Sequence, residues 1–319
     1  MILTPHVPRI PPALLRAVQI AVAIGLFVLL WNVADGAEAA RRLAGADPGL
    51  LLLAFATLSL QTVLSALRWR LTAGQFGITL NKRTALREYY LSQVVNQTLP
   101  GGFLGDAGRA VRARAQAGLL ASGQAVVFER LAGQIAIFVL LAVAFFTTLA
   151  LPGGLDWPGW LLPSVAVFVL GGMALPVGLW GAAQVMPGRA GRGLVTLGRG
   201  FMTALAAPSV RWRQLALSLG TALCNVTAFG FCAQAIGADL PLAAALTLVP
   251  LILFAMIIPL SVSGWGLREG AAAALFPVAG AAASEGLAAS VAFGLVFLVA
   301  VLPGVVFFSM RSSAQPAKP

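Results

Sequence analysis

Six long apolar runs are the strongest constraint that this sequence places on its fold. They lie at about residues 14–33, 49–67, 124–151, 160–182, 214–236 and 287–309. A helix needs about 20 predominantly apolar residues to cross the hydrocarbon core of a bilayer, and each run has about that number. Charged residues make up only 10% of the 319 residues, against roughly 25% in a soluble domain. The sequence therefore predicts an all-α integral membrane protein with about six full transmembrane helices.

Two further apolar segments, at about residues 87–120 and 242–278, are interrupted by polar residues, Pro and Gly. Basic residues are concentrated in 68–87 and 184–213, which the positive-inside rule places in the cytoplasm together with both termini. The connection at 152–159 has no Lys or Arg and is expected on the other side. These assignments agree only if both interrupted segments return to the side from which they entered. The sequence thus predicts two re-entrant hairpins.

The two halves of the chain show the same order of predicted elements in opposite orientations. Residues 14–151 and 160–309 each contain two spanning helices, one broken hairpin and a further spanning helix. This is the order of an inverted-topology repeat, in which broken helices meet near the middle of the membrane. We therefore expect one polytopic domain over residues 1–319, built from two repeats.

The first interrupted segment contains NQTLPGGFLGDAGRA, residues 96–110. Pro100 would end one helix, and Asp106 lies where the next would begin, with Arg109 one turn further along the same face. One interpretation is an anion-binding site, in which backbone N–H groups at the helix start and guanidinium groups bind a phosphate. The alternative is a cytoplasmic loop followed by a capped helix. The candidate residues are Asn96, Pro100, Gly101, Gly102, Gly105, Asp106, Arg109 and Arg112.

The second interrupted segment contains PLSVSGWGLREGAA, residues 259–272, with a similar order of Pro, small polar residues, Gly-x-Gly and charge. Charged residues inside a membrane are costly and usually functional. Since adjacent residues of a helix do not face each other, Arg268 and Glu269 each need another partner. We expect Asp106 to pair with Arg268 or Arg109 to pair with Glu269; the alternative is a structural bridge to neighbouring residues. The candidate residues are Ser263, Gly264, Gly266, Arg268 and Glu269.

A third motif, VVFERLAGQ at residues 126–134, places Glu129 and Arg130 one turn inside a spanning helix. Both are candidate binding residues. Arg130 either extends to the membrane surface along its aliphatic stem or helps to close a polar cavity.

Several kinds of chemistry are excluded. His6 is the only histidine, which excludes His-based metal sites and His-dependent catalytic triads. The sequence contains no GxxxxGK[ST] loop for ATP. We predict no cofactor, no metal and no catalytic residue. The formal net charge of +11 is attributed to cytoplasmic loops that face anionic lipid, and not to nucleic-acid binding.

Together, the three motifs resemble, in order and spacing, the signature segments of the lysylphosphatidylglycerol synthase transmembrane-domain family. The resemblance covers nearly the whole chain, with Glu129 at a position where Asp is common in the family. It implies a bacterial inner-membrane protein related to lipid flippases. The sequence ends at Pro319, so we expect a stand-alone member without the soluble aminoacyl-transferase domain of the full synthase.

We expect the protein to translocate a phospholipid or another anionic lipid between leaflets. In the expected mechanism, Arg109 and Arg268 hold the head group, and Asp106 and Glu269 balance these charges when the cavity is empty. Two alternatives stay open: a membrane transferase acting on a polyprenyl-phosphate lipid, and an accessory subunit of a lipid-synthesis system. The expected partners are membrane lipids. A homo-oligomer and a complex with a lipid-synthesis enzyme are both compatible with the sequence.

Overall fold

The computed structural model describes residues 21, 24–25, 28–99, 102–151, 155–257 and 264–312. All regular secondary structure within these ranges is helical. Pro100, Gly101, Ser263 and most of the predicted run 14–33 lie outside the described residues. The helices are α1 (Gly36–Ala44), α2 (Pro48–Gln75), α3 (Lys82–Thr98), α4 (Leu104–Ala150), α5 (Leu161–Val185), α6 (Gly188–Ala206), α7 (Arg211–Ala235), α8 (Leu242–Ala255), α9 (Leu267–Leu275), α10 (Ala283–Val301) and α11 (Pro303–Ser312), with a 3₁₀ turn at Phe276–Ala279.

Five helical segments among the described residues are long and apolar enough to cross a membrane. They are Pro48–Gln75, Leu104–Ala150, Leu161–Val185, Arg211–Ala235 and Ala283–Phe307. These segments coincide with five of the six apolar runs predicted from the sequence. The predicted class, an all-α membrane protein, is therefore confirmed.

Helix α4 is folded back on itself at Gly118. The φ and ψ angles of Gly118 are 80° and 166°, a combination that is essentially restricted to glycine. Arg109 and Glu129, on either side of it, would be about 30 Å apart along a straight helix. Their side chains nevertheless form an ion pair of 3.0 Å. Helix α4 therefore consists of two antiparallel legs, residues 104–117 and 119–150.

The first hairpin is formed by α3 and the first leg of α4; it covers most of the segment predicted at 87–120 but begins earlier, at Lys82. Helix α3 has 17 residues, which corresponds to about 25 Å and falls short of the roughly 30 Å hydrocarbon core. The two arms meet at Gly105, where an added Cβ would lie 2.0 Å from the carbonyl oxygen of Ser92. Only glycine allows the backbones to approach this closely.

The second hairpin is formed by α8 and α9, which pack against each other within the segment predicted at 242–278. Helix α8 has 14 residues and α9 has 9, so both are shorter than the hydrocarbon core. Gly264 and Gly266 precede α9 with φ angles of 78° and 88°. These positive φ angles suit glycine, and they turn the chain into the short helix.

The centre of the protein is formed by α2, α7 and α10. Helices α2 and α7 have the most extensive packing of any described helix pair, and α10 lies against both. Buried aromatic residues fill the contact, with the rings of Phe229 and Phe293 5.4 Å apart. Both α2 and α7 also contact α4. This packing fixes the folded α4 against α2, the arrangement on which the site below depends.

Two segments that were predicted to be cytoplasmic connections are helical. Helix α2 continues to Gln75, so Arg68 is buried, with 5% exposure, instead of lying in the connection 68–87. The prediction was wrong because the positive-inside rule counts an arginine as exposed, whereas Arg68 is neutralised by a buried carboxylate. Helix α6 occupies most of the connection predicted at 184–213.

Candidate functional site

Five charged side chains form a continuous network of ion pairs in which arginines and carboxylates alternate. Arg68 Nη2 lies 2.6 Å from Glu129 Oε1, and Glu129 Oε2 lies 3.0 Å from Arg109 Nη2. Arg109 Nη2 also lies 2.9 Å from Asp106 Oδ1, and Asp106 Oδ2 lies 2.5 Å from Arg130 Nε. We call these five residues the ion-pair network. An arginine stands at each of its ends.

The ion-pair network joins three parts of the fold. Arg68 comes from α2, whereas the other four side chains come from the two legs of α4. Arg68 also donates a hydrogen bond of 2.8 Å to Oγ1 of Thr221 on α7. A Cβ at Gly133 would lie 2.9 Å from Arg68 Nη2, so glycine leaves the space that this guanidinium needs.

Arg109 is the central residue of the network and is held between two aromatic rings. Its Cζ lies 4.5 Å from the ring centroid of Trp69 and 4.6 Å from that of Tyr89. Such a desolvated cation–π contact is worth about 2 kcal/mol. Arg109 is 1% exposed, and its Nε and Nη1 form no hydrogen bond with the described residues. The side chain is therefore fixed in place by the rings and by two carboxylates that share Nη2.

Asp106 lies in the first turn of α4 and is oriented by side chains of α3. Ser92 Oγ donates a hydrogen bond of 2.8 Å to Asp106 Oδ1, and Asn96 Nδ2 donates one of 3.1 Å to Oδ2. Asn96 Oδ1 accepts a hydrogen bond of 2.8 Å from the N–H of Gly105. The positive end of the helix favours the negative charge of Asp106. Asp106 does not cap α4, however: the N-cap residue is Phe103, and the N–H of Gly105 in the first turn is bonded by Asn96 of α3 instead.

A cavity of about 700 Å³, lined by both apolar and polar side chains, adjoins the ion-pair network. Arg68, Asp106 and Arg130 line it, as do Gly102 and Gly264 at the turns of the two hairpins. Arg130 is the most accessible of the three charged residues: 48% of its side chain is exposed, against 6% for Arg68 and 9% for Asp106. Ligand pockets of roughly 300–1,000 Å³ accommodate small molecules. Further polar lining comes from Gln61, Gln93, Asn96, Gln97, Gln134 and Asn225.

The ion-pair network carries one more positive than negative charge. It contains three arginines and two carboxylates, which gives a formal charge of +1. A charge in a poorly solvated environment needs an opposite charge nearby. The positive charge of Arg130 is compensated only in part. Its one carboxylate partner, Asp106, also pairs with Arg109, and its other contact is a hydrogen bond of 2.9 Å to the carbonyl oxygen of Gly102. The cavity therefore favours an anion, and guanidinium donors match a phosphate or carboxylate.

The charged pair of the second hairpin differs from the prediction. Arg268 Nη2 lies 2.5 Å from Oε1 of the adjacent Glu269, and Arg268 Nε donates a hydrogen bond of 2.9 Å to Ser290 Oγ. The expected pairing with Asp106 or Arg109 was wrong. Glu269 is in the first turn of α9, where it turns back to accept a hydrogen bond of 2.6 Å from the N–H of Gly266. This conformation brings the carboxylate within reach of Arg268.

Some predicted residues lie apart from the cavity. Arg109 and Arg268, which were expected to hold a head group, are buried at 1% and 2% exposure and are not among the residues that line the cavity. Arg112 forms an ion pair with Glu88 of α3. Arg130, by contrast, is one of the residues that line the cavity.

Sequence reasoning missed Arg68 and the two aromatic rings around Arg109. A signal for Arg68 was present in α2. Gln61, Ser65, Arg68 and Thr72 recur at intervals of three and four residues, and all four are buried. This spacing places them on one face of the helix, so it predicts a polar stripe that faces the protein interior. No comparable pattern marks Trp69 and Tyr89, which meet only in the folded chain.

The described part of the chain contains no group of three or more His, Cys, Asp or Glu side chains that could hold a metal ion. Comparison with protein families matches residues 16–304 to the model described as the lysylphosphatidylglycerol synthase TM region. The match covers both hairpins, the ion-pair network and the cavity. No curated protein and no solved structure gives a significant match to the chain.

Proposed function

Since the chain belongs to the lysylphosphatidylglycerol synthase transmembrane family, we propose that it translocates an anionic lipid between the two leaflets of its membrane. One observation carries this proposal: a cavity of about 700 Å³ among membrane helices is lined by both ends of a network with a formal charge of +1. An anionic head group supplies the missing charge, and its acyl chains stay in the bilayer.

Arg130 is the residue that we propose binds the head group. It is the only half-exposed member of the ion-pair network, so a phosphate can reach it without unfolding the site. In this structure Arg130 is paired with Asp106, which also pairs with Arg109. A phosphate oxygen replaces part of this contact, and Asp106 keeps its hydrogen bonds from Ser92 and Asn96. Arg68, at the opposite end of the network, supplies a second positive charge.

The buried members of the network keep the positive charge in place. Arg109 is held by Trp69, Tyr89 and two carboxylates, and it does not exchange partners with the ligand. The network thus has a fixed, buried centre at Arg109 and an accessible end at Arg130. Electrostatic sites bind best when their charges are positioned before the ligand arrives.

The two hairpins suggest how the cavity could open to either leaflet. We propose that both are re-entrant, that residues 14–151 and 160–309 form inverted repeats, and that rocking of one repeat against the other gives alternating access. The protein would act in a bacterial inner membrane with both termini in the cytoplasm. It would act as a transporter and not as an enzyme, either alone, as a homo-oligomer or beside a lipid-synthesis enzyme.

The proposal is tested in liposomes that contain a phosphatidylglycerol with a fluorescent head group. Dithionite quenches only outer-leaflet fluorophores, so translocation increases the quenched fraction. We expect wild-type protein and Arg83→Gln, an exposed residue of α3, to translocate the lipid, and Arg130→Gln to be at least about 10-fold slower, since a charge-assisted hydrogen bond contributes about 1.5–3 kcal/mol. Equal rates for Arg130→Gln and wild type would refute the role of Arg130. Absence of translocation by folded wild type would refute the function, and product formation from a polyprenyl phosphate would favour a transferase.

A further inference from the structure

Helix α6 carries its charges on a single face. Arg189, Arg192 and Arg199 are all exposed. At about 100° per residue, the three arginines fall within an arc of about 80°, together with Thr196 and Thr203. The sequence thus forms a narrow basic stripe, although it was predicted to be a simple connection between helices.

The opposite face of α6 packs against the protein. The ring of Phe201 meets that of Phe128 edge-on at 5.7 Å. Ala204, on this side of the helix, is fully buried. Phe128 belongs to the second leg of α4. This packing fixes the rotation of α6, so the basic stripe faces away from the protein.

The arginines of the stripe have no carboxylate partner among the residues that the structure describes. The sequence from 184 to 213 contains five arginines and neither Asp nor Glu. The ion-pair network has the opposite character, because carboxylates pair with each of its arginines. The charges of α6 are therefore available to a ligand outside the protein.

The residues that follow α6 have the composition of a membrane interface. Trp212 is 68% exposed, and the guanidinium of Arg211 lies 5.4 Å from the centroid of its ring. Trp is enriched where the bilayer meets water. An amphipathic helix with arginines on its polar face lies in the plane of this interface. Here the apolar face packs against Phe128 of α4.

We infer that α6 is an interfacial helix whose basic stripe binds the phosphate groups of anionic phospholipids in the adjacent leaflet. Charge complementarity selects this partner: three exposed guanidinium groups without a carboxylate partner among the described residues lie along one helix face, and anionic lipid is attracted to such polybasic segments. The stripe binds lipid whether or not the cavity transports it. Its occupants would be bound from the leaflet and need not enter the cavity.

The test uses Trp212 as a reporter in the full-length protein. The protein is reconstituted into nanodiscs of phosphatidylcholine mixed with phosphatidylglycerol, in which one of the two lipids is brominated at a time. The Trp212 signal is the difference in fluorescence between wild type and Trp212→Phe. We expect brominated phosphatidylglycerol to quench this signal at least twofold more than brominated phosphatidylcholine at equal mole fraction, and we expect high salt to remove the excess.

Charge variants separate binding from folding. The triple variant Arg189→Gln, Arg192→Gln, Arg199→Gln should lose the excess quenching, whereas the corresponding triple Lys variant should retain it. Arg41→Gln, an exposed arginine of α1, is the matched control and should behave as wild type. Equal quenching by the two lipids in wild type, or unchanged excess in the triple Gln variant, would overturn the inference. If the stripe bound an acidic soluble protein instead of lipid, the two brominated lipids would quench Trp212 equally in wild type.

Discussion

Arg109 donates a hydrogen bond of 3.0 Å to Glu129, although the two residues are 20 positions apart in α4. The contact is possible because α4 reverses at Gly118. The same reversal brings Arg130 to Asp106. The reversal at Gly118 therefore brings Glu129 and Arg130 of the second leg of α4 into contact with Arg109 and Asp106 of the first leg. The ion-pair network depends on this reversal.

Replacing Gly118 should therefore destabilise the protein. We expect Gly118→Ala to lower the free energy of unfolding by about 1–3 kcal/mol, because an alanine is strained at these φ and ψ angles. Gly230→Ala in α7 is the control, since a Cβ there meets nothing within 4 Å and should be neutral or slightly stabilising. Unfolding in mixed micelles with increasing dodecyl sulfate measures both. Equal stability of the two variants would contradict a strained reversal at Gly118.

The buried carboxylate of Glu129 should be more important for stability than any exposed acidic residue. We expect Glu129→Gln to cost about 3–5 kcal/mol, because Arg68 and Arg109 then share too little negative charge. Glu38→Gln, which removes the two solvent-accessible ion pairs with Arg41 and Arg42 in α1, should stay close to wild type. The same unfolding titration measures both variants.

A double-mutant cycle tests whether Arg68 and Glu129 act as a pair. The double variant Arg68→Met, Glu129→Gln restores the formal charge of the network, so it should cost at least about 1 kcal/mol less than the sum of the single variants. Additive single and double variants would show that the two residues contribute independently and would contradict the network.

The close approach of the first hairpin makes a separate prediction. Gly105→Ala should lower the free energy of unfolding by about 1–3 kcal/mol, because its Cβ would meet the backbone oxygen of Ser92 and the overpacked arms must separate. Gly108→Ala is matched to it on the same leg, and its Cβ meets only the end of the flexible Arg112 side chain. The control should therefore be tolerated. A well-folded Gly105→Ala protein with wild-type stability would show that the arms can separate at no cost.

Much of the fold follows from the sequence because it depends on local composition. Long apolar runs specify spanning helices, and the glycines that precede α9 mark a turn before the structure is known. The pair Asp106 and Arg109 also follows, since residues three apart share a helix face.

The rest of the site depends on contacts between distant segments. Arg68 was assigned to a loop because its partner Glu129 is 61 residues away. Arg268 and Glu269 were expected to point apart, as adjacent residues do in a regular helix. They pair because Glu269 turns back to the start of α9. Sequence spacing alone predicts neither contact. Tertiary packing decides the pairing of Arg68, and the geometry of the helix terminus decides that of Arg268 and Glu269.

Photocrosslinking measures directly where an anionic head group binds to the protein. Phosphatidylglycerol with a photoactivatable group on its head would be crosslinked to the reconstituted protein, and the labelled peptides would be identified by mass spectrometry. We predict labels on residues that line the cavity, such as Phe103, Ala107 and Gln134. These labels should be lost in Arg130→Gln and retained in Arg83→Gln. Labels confined to the exposed surface of α5, or cavity labels that persist in Arg130→Gln, would contradict this prediction.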